Sequence, residues 1–250
     1  MGENSAPIVY TIGSGTGHTF AQAFKAGCKG RISYCKNILS SGDVALFGHV
    51  DLFPLLRAAQ ADGRNWYYGD KAYFNRGDYY RITKNAYMHD CFGEATPKRF
   101  ENLKFSVEDW KTGSEILLCP QSDAFYRLHG TTQAQWILDT TAELMKYTDR
   151  QIAVHYKNTA LNAERRFKER LNNVWAVVVY TSMAGAQAVM RGVPCFATQD
   201  CVSAKFGSMD LSSIERPRKP ENREQMAWVL ADNQWTLDEI RRGIAWQKVK

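Results

Sequence analysis

No stretch of this chain approaches the ~20 consecutive apolar residues that a membrane-spanning helix needs, which excludes a helical membrane anchor within it. Met1 to Pro7 carries neither basic residues nor an apolar core, so a secretory leader is not expected. The six cysteines form no Cys-x-x-Cys pair and no paired metal spacing, which argues against a zinc module or a disulfide framework. Cys119 and Cys195 lie in apolar runs, where a free thiol behaves as a small hydrophobe, and a reduced cytoplasmic setting is expected. His-Glu-x-x-His, a Walker A loop and an Asp-x-Asp pair at a strand end are all missing, so no protein-bound metal or cofactor is expected. Internal repeats and low-complexity tracts are missing too.

What is present is the material of a soluble α/β protein. The 250 residues are 44% hydrophobic and 23% charged, enough to bury one large core or two small ones. A net charge of +6 points mildly to an anionic partner, with basic residues gathered at Lys71–Arg81, Arg150–Arg170 and Arg216–Lys219. Apolar strand-like runs at 7–12, 43–48, 65–69, 115–120, 151–156 and 177–180 alternate with helical patterns near 19–26, 51–61, 132–146, 161–171, 222–231 and 237–247. Strand–helix alternation predicts parallel sheets, in two Rossmann-like halves with a cleft between them. The division is expected at Lys111–Gly113, giving halves 1–112 and 113–250. The stretch 73–87 is aromatic and basic with little periodicity and reads as a loop.

The most informative segment runs from Val177 to Ala197: a buried strand, a turn through Thr181 and Ser182, a short helix, a glycine stop and a second strand. Ser182 or Thr181 would cap the helix, whose first turn offers free N–H groups and a dipole that favours an anion. The small residues Ser182, Ala184, Gly185, Ala186 and Ala188 admit close approach of a ligand, or alternatively of another backbone in an ordinary βαβ unit. Ser182, Gly185, Ala188, Gly192 and Pro194 resemble the Ser-x-x-Gly-x-Glu-Ala…Gly-x-Pro motif of GT-B glycosyltransferases, over about a tenth of the chain. The resemblance implies that Thr181, Ser182, Met183 and Gly185 bind a donor diphosphate, that 1–112 is the acceptor-side domain and 113–250 the donor domain, and that the last helix crosses back to the first half. Gln187 stands where that family has an acid reaching the donor ribose or sugar, which leaves donor identity open.

Gly13-Ser14-Gly15-Thr16-Gly17-His18 follows the first strand and is similar to the glycine loop of GT-B enzymes such as the lipid II-forming transferase. Gly15, Thr16 and Gly17 are candidate donor contacts, and His18 is a candidate base, or else a cap or core histidine. Asp70, at the end of the strand at 65–69, is the preferred base for taking a hydroxyl proton. Arg76, Tyr79, Tyr80 and Arg81 are candidate acceptor contacts, in a stretch that looks like one from bacteriophage proteins of the glycosyltransferase-like class. His155 and Lys157 end another strand on one face, where Lys157 can neutralise donor phosphate, resembling basic strand ends of capsule-polysaccharide and sialic-acid transferases.

Together these residues predict a GT-B-like glycosyltransferase using a nucleotide-sugar co-substrate, a UDP-sugar foremost. The expected acceptor is a 5-hydroxymethylpyrimidine in double-stranded phage DNA. The alternatives are a polysaccharide or lipid-linked acceptor, and a non-catalytic nucleotide- or nucleic-acid-binding module.

Overall fold

Parallel strands covered by helices on both sides must be apolar on both faces, and the chain meets that demand twice. The computed structural model describes residues 6–34, 41–103, 105–156 and 163–250. The first part of the chain runs β1 (Ile8–Tyr10), α1 (Gly15–Cys28), β2 (Arg31–Ser33), β3 (Val44–Phe47), α2 (Phe53–Ala61), β4 (Trp66–Lys71) and β5 (Tyr79–Lys84). The middle runs α3 (Lys98–Glu101), β6 (Glu115–Cys119), α4 (Asp123–Leu128), α5 (Gln133–Leu144), β7 (Ile152–Val154), α6 (Ala163–Arg170), β8 (Val174–Val179), α7 (Met183–Met190), β9 (Cys195–Ala197) and α8 (Val202–Phe206). The chain closes with α9 (Arg223–Asp232), β10 (Trp235–Thr236), α10 (Leu237–Arg241) and α11 (Ile244–Val249).

Two units result. One comprises Met1–His89 with Leu230–Lys250, the other Asp90–Val229. The expected division at Lys111–Gly113 therefore lies inside the second unit. Backbone bonds explain why: Glu108 N–H donates to the Met190 carbonyl at 2.8 Å, and Lys111 N–H to the Gly192 carbonyl at 2.7 Å. The Arg223 guanidinium also donates to the carbonyls of Glu108 and Val189, at 2.8 and 2.9 Å. Gly192, at φ +79°, is needed here because a Cβ would strike the Asp109 carbonyl.

The first unit is built on a six-stranded sheet of order β10-β5-β4-β3-β1-β2. β1 to β4 are parallel, while β5 runs antiparallel to β4 and β10 antiparallel to β5. Phe20 and Phe24 of α1 pack with Tyr67, Tyr80, Ile82, Trp235 and Ile240 on one face. The second unit has a four-stranded, all-parallel sheet of order β7-β6-β8-β9. Ile116, Leu118, Ala176 and Val178 face the core containing Trp136 and Leu144 of α5, and Leu117, Cys119, Val177 and Val179 face the one containing Phe167 and Ala188.

β5 lies where the sequence reads as a loop. The reason is an arginine inside the protein: Tyr80 and Ile82 face one buried layer, and Arg81 and Thr83 are buried on the opposite face. The alternation Tyr80-Arg81-Ile82-Thr83 is present but short, and its polar side is buried rather than solvated, so it does not stand out within the aromatic, basic stretch around it. The final helical pattern is likewise split into α10 and α11 by Gly243, at φ +83°. The five described cysteines are buried free thiols; Cys35 lies outside the described residues. Among the described residues no helix is long and apolar enough to cross a membrane.

The closing segment is docked onto α1 at Gly27, where a Cβ would strike the Ile240 carbonyl and lie 3.1 Å from the Gly243 Cα. Gly27→Ala is therefore expected to cost about 1–3 kcal/mol through overpacking. Gly77→Ala, where a Cβ meets nothing within 4 Å, should stay within about 0.5 kcal/mol. Urea unfolding midpoints of the two variants check the contrast.

Candidate functional sites at the carboxyl edges of the two sheets

In open α/β sheets, ligands bind beyond the carboxyl ends of neighbouring strands whose outgoing connections diverge. In the second sheet, β6 leads to β7 on one side and β8 leads to β9 on the other, so the divergence falls between β6 and β8. Two turns meet there. The Gln121 Oε1, just beyond β6, accepts from the Thr181 hydroxyl at 2.9 Å and from the Thr181 N–H at 3.3 Å, just beyond β8. Ser182 follows as the cap of α7. His155 immediately follows β7, its N–H donating to the Leu118 carbonyl at 2.8 Å. Its ring packs 5.3 Å from that of Phe167, and burial, with the Arg170 charge, pushes its pKa below the ordinary histidine value. Thr181, Ser182 and His155 thus share one sheet edge, joined by Gln121, which sequence reading passed over. Its signal is modest: a polar residue directly after the Cys-Pro that ends an apolar strand.

The start of α7 differs from the expected anion cradle. The Ser182 hydroxyl oxygen accepts from the Ala184 N–H at 3.2 Å, the Ser182 carbonyl from the Gly185 N–H at 3.3 Å, and the Ser203 hydroxyl oxygen from the Ala186 N–H at 3.2 Å. The Ser203 hydroxyl in turn donates to the Ser182 carbonyl at 2.6 Å. Three first-turn donors are therefore spent within the protein. Gly185 is buried, and a Cβ there would lie 2.9 Å from Ser203, so its smallness serves the packing of α8 against α7. Met183 is buried as well, whereas Ser182 and Gln187 are half-buried. Lys157 lies outside the described residues.

In the first sheet the divergence falls between β1, which leads to β2, and β3, which leads to β4. The glycine loop occupies the β1 side. Helix α1 begins at Gly15 rather than near Thr19, because Gly13 and Gly15 at φ +85° and +63° turn the chain early. Its first backbone bond is that from the His18 N–H to the Ser14 carbonyl at 3.4 Å. The N–H groups of Gly15, Thr16 and Gly17 precede that bond, and a Cβ at Gly15 meets nothing within 4 Å. This helix start is open where that of α7 is filled. His18 is half-buried, its Nε2 lies 3.3 Å from the Gln22 amide, and its Nδ1 is shielded with no hydrogen-bond partner among the described residues.

Asp70, at the end of β4, pairs across the sheet with Arg81 of β5. Its Oδ2 accepts from the Arg81 guanidinium at 2.8 Å and from the Tyr68 hydroxyl at 3.3 Å, and its Oδ1 from the Lys71 N–H at 2.7 Å. Burial pushes the Asp70 carboxyl up, but the Arg81 and Arg76 charges and these hydrogen bonds outweigh it and hold the group below the usual carboxylate range. Arg81 is 2% exposed, lies over the rings of Tyr73 and Tyr68, and is therefore not presented to a phosphate backbone. Tyr80 is buried in the core with the Lys71 ammonium 4.5 Å from its ring centre, while Tyr79 and Arg76 are half-buried. The aromatics of this stretch are largely core, and only Arg76 and Tyr79 of the four expected acceptor contacts keep accessible surface. Asp70 and Arg81 come together, as do Thr181, Ser182 and His155 on their own edge.

Two units, each with a parallel sheet whose carboxyl edge carries small-residue turns, define a GT-B-like fold. Two solved structures from Thermosulfurimonas dismutans are similar in fold over nearly the whole chain. The KpsC β-Kdo 2,4 transferase has a TM-score of 0.54 at 11% identity, covering 91% of this chain and 91% of that one. The KpsC β-Kdo 2,7 transferase has a TM-score of 0.52 at 10% identity, covering 96% and 99%. No protein-family model and no curated protein sequence matches the chain.

Removing one partner of the buried pair leaves the other charged and unpaired. Asp70→Asn is expected to cost about 3–5 kcal/mol, and Asp70→Asn with Arg81→Met to recover much of that loss. Chemical denaturation of the single and double variants reads the coupling.

His89 supplies a pH prediction. Its Nδ1 lies 2.9 Å from the Tyr73 hydroxyl, and burial together with the Arg81 charge pushes its pKa down to about 3. The unfolded chain takes up this proton near pH 6.5 and the folded one refuses it, so stability is full above about 6.5 and falls as pH drops. Between pH 6.5 and 4.5 the thermal midpoint of His89→Gln is expected to fall less steeply than that of the wild type.

Proposed function

We propose that the chain is a glycosyltransferase that moves a sugar from a nucleotide donor to a hydroxyl, with the donor held at the carboxyl edge of the second sheet. The observation that carries this reading is the meeting of the β6 and β8 turns through Gln121 and Thr181 at the strand divergence, with Ser182 and His155 on the same edge. The similarity in fold to two structures described as Kdo transferases supports the class of reaction. In this reading the Ser182 hydroxyl donates a hydrogen bond to a donor phosphate oxygen while its own oxygen accepts the Ala184 N–H. Lys157, three residues beyond β7, supplies the positive charge that offsets the phosphate.

The two candidate bases part on their surroundings. A base must take up a proton, and Asp70 is held deprotonated by Arg81 and its hydrogen bonds. An anionic group of this kind suits stabilisation of positive charge developing on the sugar. Of the two, His18 has no ion pair among the described residues, and we take it as the base. A DNA acceptor rests on the basic stretch alone. With Arg81 buried against Asp70, that stretch offers a phosphate backbone less than its sequence promises, and we favour a glycan or lipid-linked hydroxyl.

Thermal-shift screening against nucleoside mono- and diphosphates tests the donor site, since a specific ligand stabilises the folded state by mass action. Ser182→Ala is expected to weaken the responding nucleotide several-fold. His18→Ala should lower sugar transfer by roughly 10²–10⁴-fold with donor affinity nearly unchanged. Nucleotide binding without transfer to any glycan, lipid or DNA hydroxyl would instead identify a binding module.

A further inference from the structure

Gln121 is more than a clasp between two turns. Its position is fixed at three points: its N–H donates to the Tyr126 hydroxyl at 3.4 Å, its carbonyl accepts from the Gln133 side-chain amide, and its Oε1 accepts twice from Thr181. The Thr181 N–H can only donate, so the side-chain oxygen of Gln121 must face it. The amide nitrogen is thereby turned away. That nitrogen has no partner among the described residues, and it is not among the buried side-chain atoms that lack one. Two donors are therefore held ready, at the strand divergence, with nothing among the described residues to receive them.

The groups around them add a further donor and no free carboxylate. The Ser182 oxygen is taken by the Ala184 N–H, leaving its hydroxyl proton to give. The nearest carboxylate in sequence, Asp123, accepts from the Gln133 N–H at 3.0 Å and the Arg127 guanidinium at 2.7 Å. Thr181 gives its proton to Gln121. A phosphate presents only acceptors, which suits the two Gln121 amide protons together with the Ser182 hydroxyl proton.

We propose that Gln121 is a phosphate-recognition residue of the donor site, its Nε2 donating to a phosphate oxygen of the bound nucleotide while its Oε1 keeps the Thr181 turn in place. This rests on the reading of that edge as a nucleotide site. Because the side chain is already ordered before binding, little rotamer freedom is lost when the ligand arrives.

Gln121→Glu separates the two jobs of the side chain. A glutamate keeps an oxygen for Thr181 and replaces the donor by a negatively charged acceptor. CMP, UDP, inorganic pyrophosphate and the nucleosides cytidine and uridine are titrated calorimetrically into wild type, Gln121→Glu and Gln121→Ala. The expected result is a roughly 10- to 100-fold loss for CMP, UDP and pyrophosphate in the glutamate variant, the size of a hydrogen bond to a charged group, with an unchanged thermal midpoint without ligand. The wild-type preference for nucleotide over nucleoside should shrink in both variants, which a purely structural role would not produce. Equal affinities in wild type and Gln121→Glu would overturn the proposal while leaving the donor site standing. Equal losses for nucleosides and nucleotides would overturn the phosphate assignment. A wild type that binds none of the probes removes the nucleotide reading itself, and this inference with it.

Discussion

Burial of a parallel strand on both faces is the constraint from which the rest follows. Ala176, Val177, Val178 and Val179 of β8 have no solvent exposure at all, so this strand can offer a ligand nothing along its length. Every polar group that might do chemistry is driven to where the strands stop. The backbone enforces the same rule, because the ladder uses the interior N–H and C=O groups and frees them only at the ends. In the second unit this leaves a short edge on which Gln121, His155, Thr181 and Ser182 are neighbours by topology, although they are distant in sequence.

The first unit departs from that economy in one place. β4 and β5 bring Asp70 and Arg81 together beneath Tyr68 and Tyr73, making a charged pair inside an aromatic layer. Desolvation of the arginine is offset by the carboxylate, by the ring faces and by a contact of the guanidinium with the Met88 sulfur at 2.9 Å. A buried pair of this kind is weak evidence for stability and stronger evidence for a fixed arrangement. Here it fixes the one edge carboxylate of β4 in a single ionisation state.

The fold was legible because its period was strong. The runs at 115–120 and 177–180 could be nothing but covered strands, and the glycine and proline at 192–194 punctuated them. The strand at 79–84 was passed over because its short alternation of Tyr80, Arg81, Ile82 and Thr83 is embedded in a run of aromatic and basic residues, and an arginine there reads as solvated rather than buried. Helix starts were half legible: Ser182 does cap α7, but the sequence could not show that Ser203, twenty-one residues on, would fill the same turn. Gln121 went unread for the opposite reason. Its importance comes from Thr181, sixty residues away, and no local pattern records that bond.

The strand and helices of the last twenty-one residues, Leu230–Lys250, complete a unit whose other eighty-nine residues come first. On a ribosome the first unit emerges early, yet Trp235, Ile240 and Ala245 of its core arrive only after the whole second unit has been made. Tyr80 and Ile82 of β5 must wait through that interval with the cover of α1 but without that of the closing segment. The second unit, continuous in sequence, can close its core as it emerges. Of the two units, the one begun first is thus completed second, and the glycine loop stands on it.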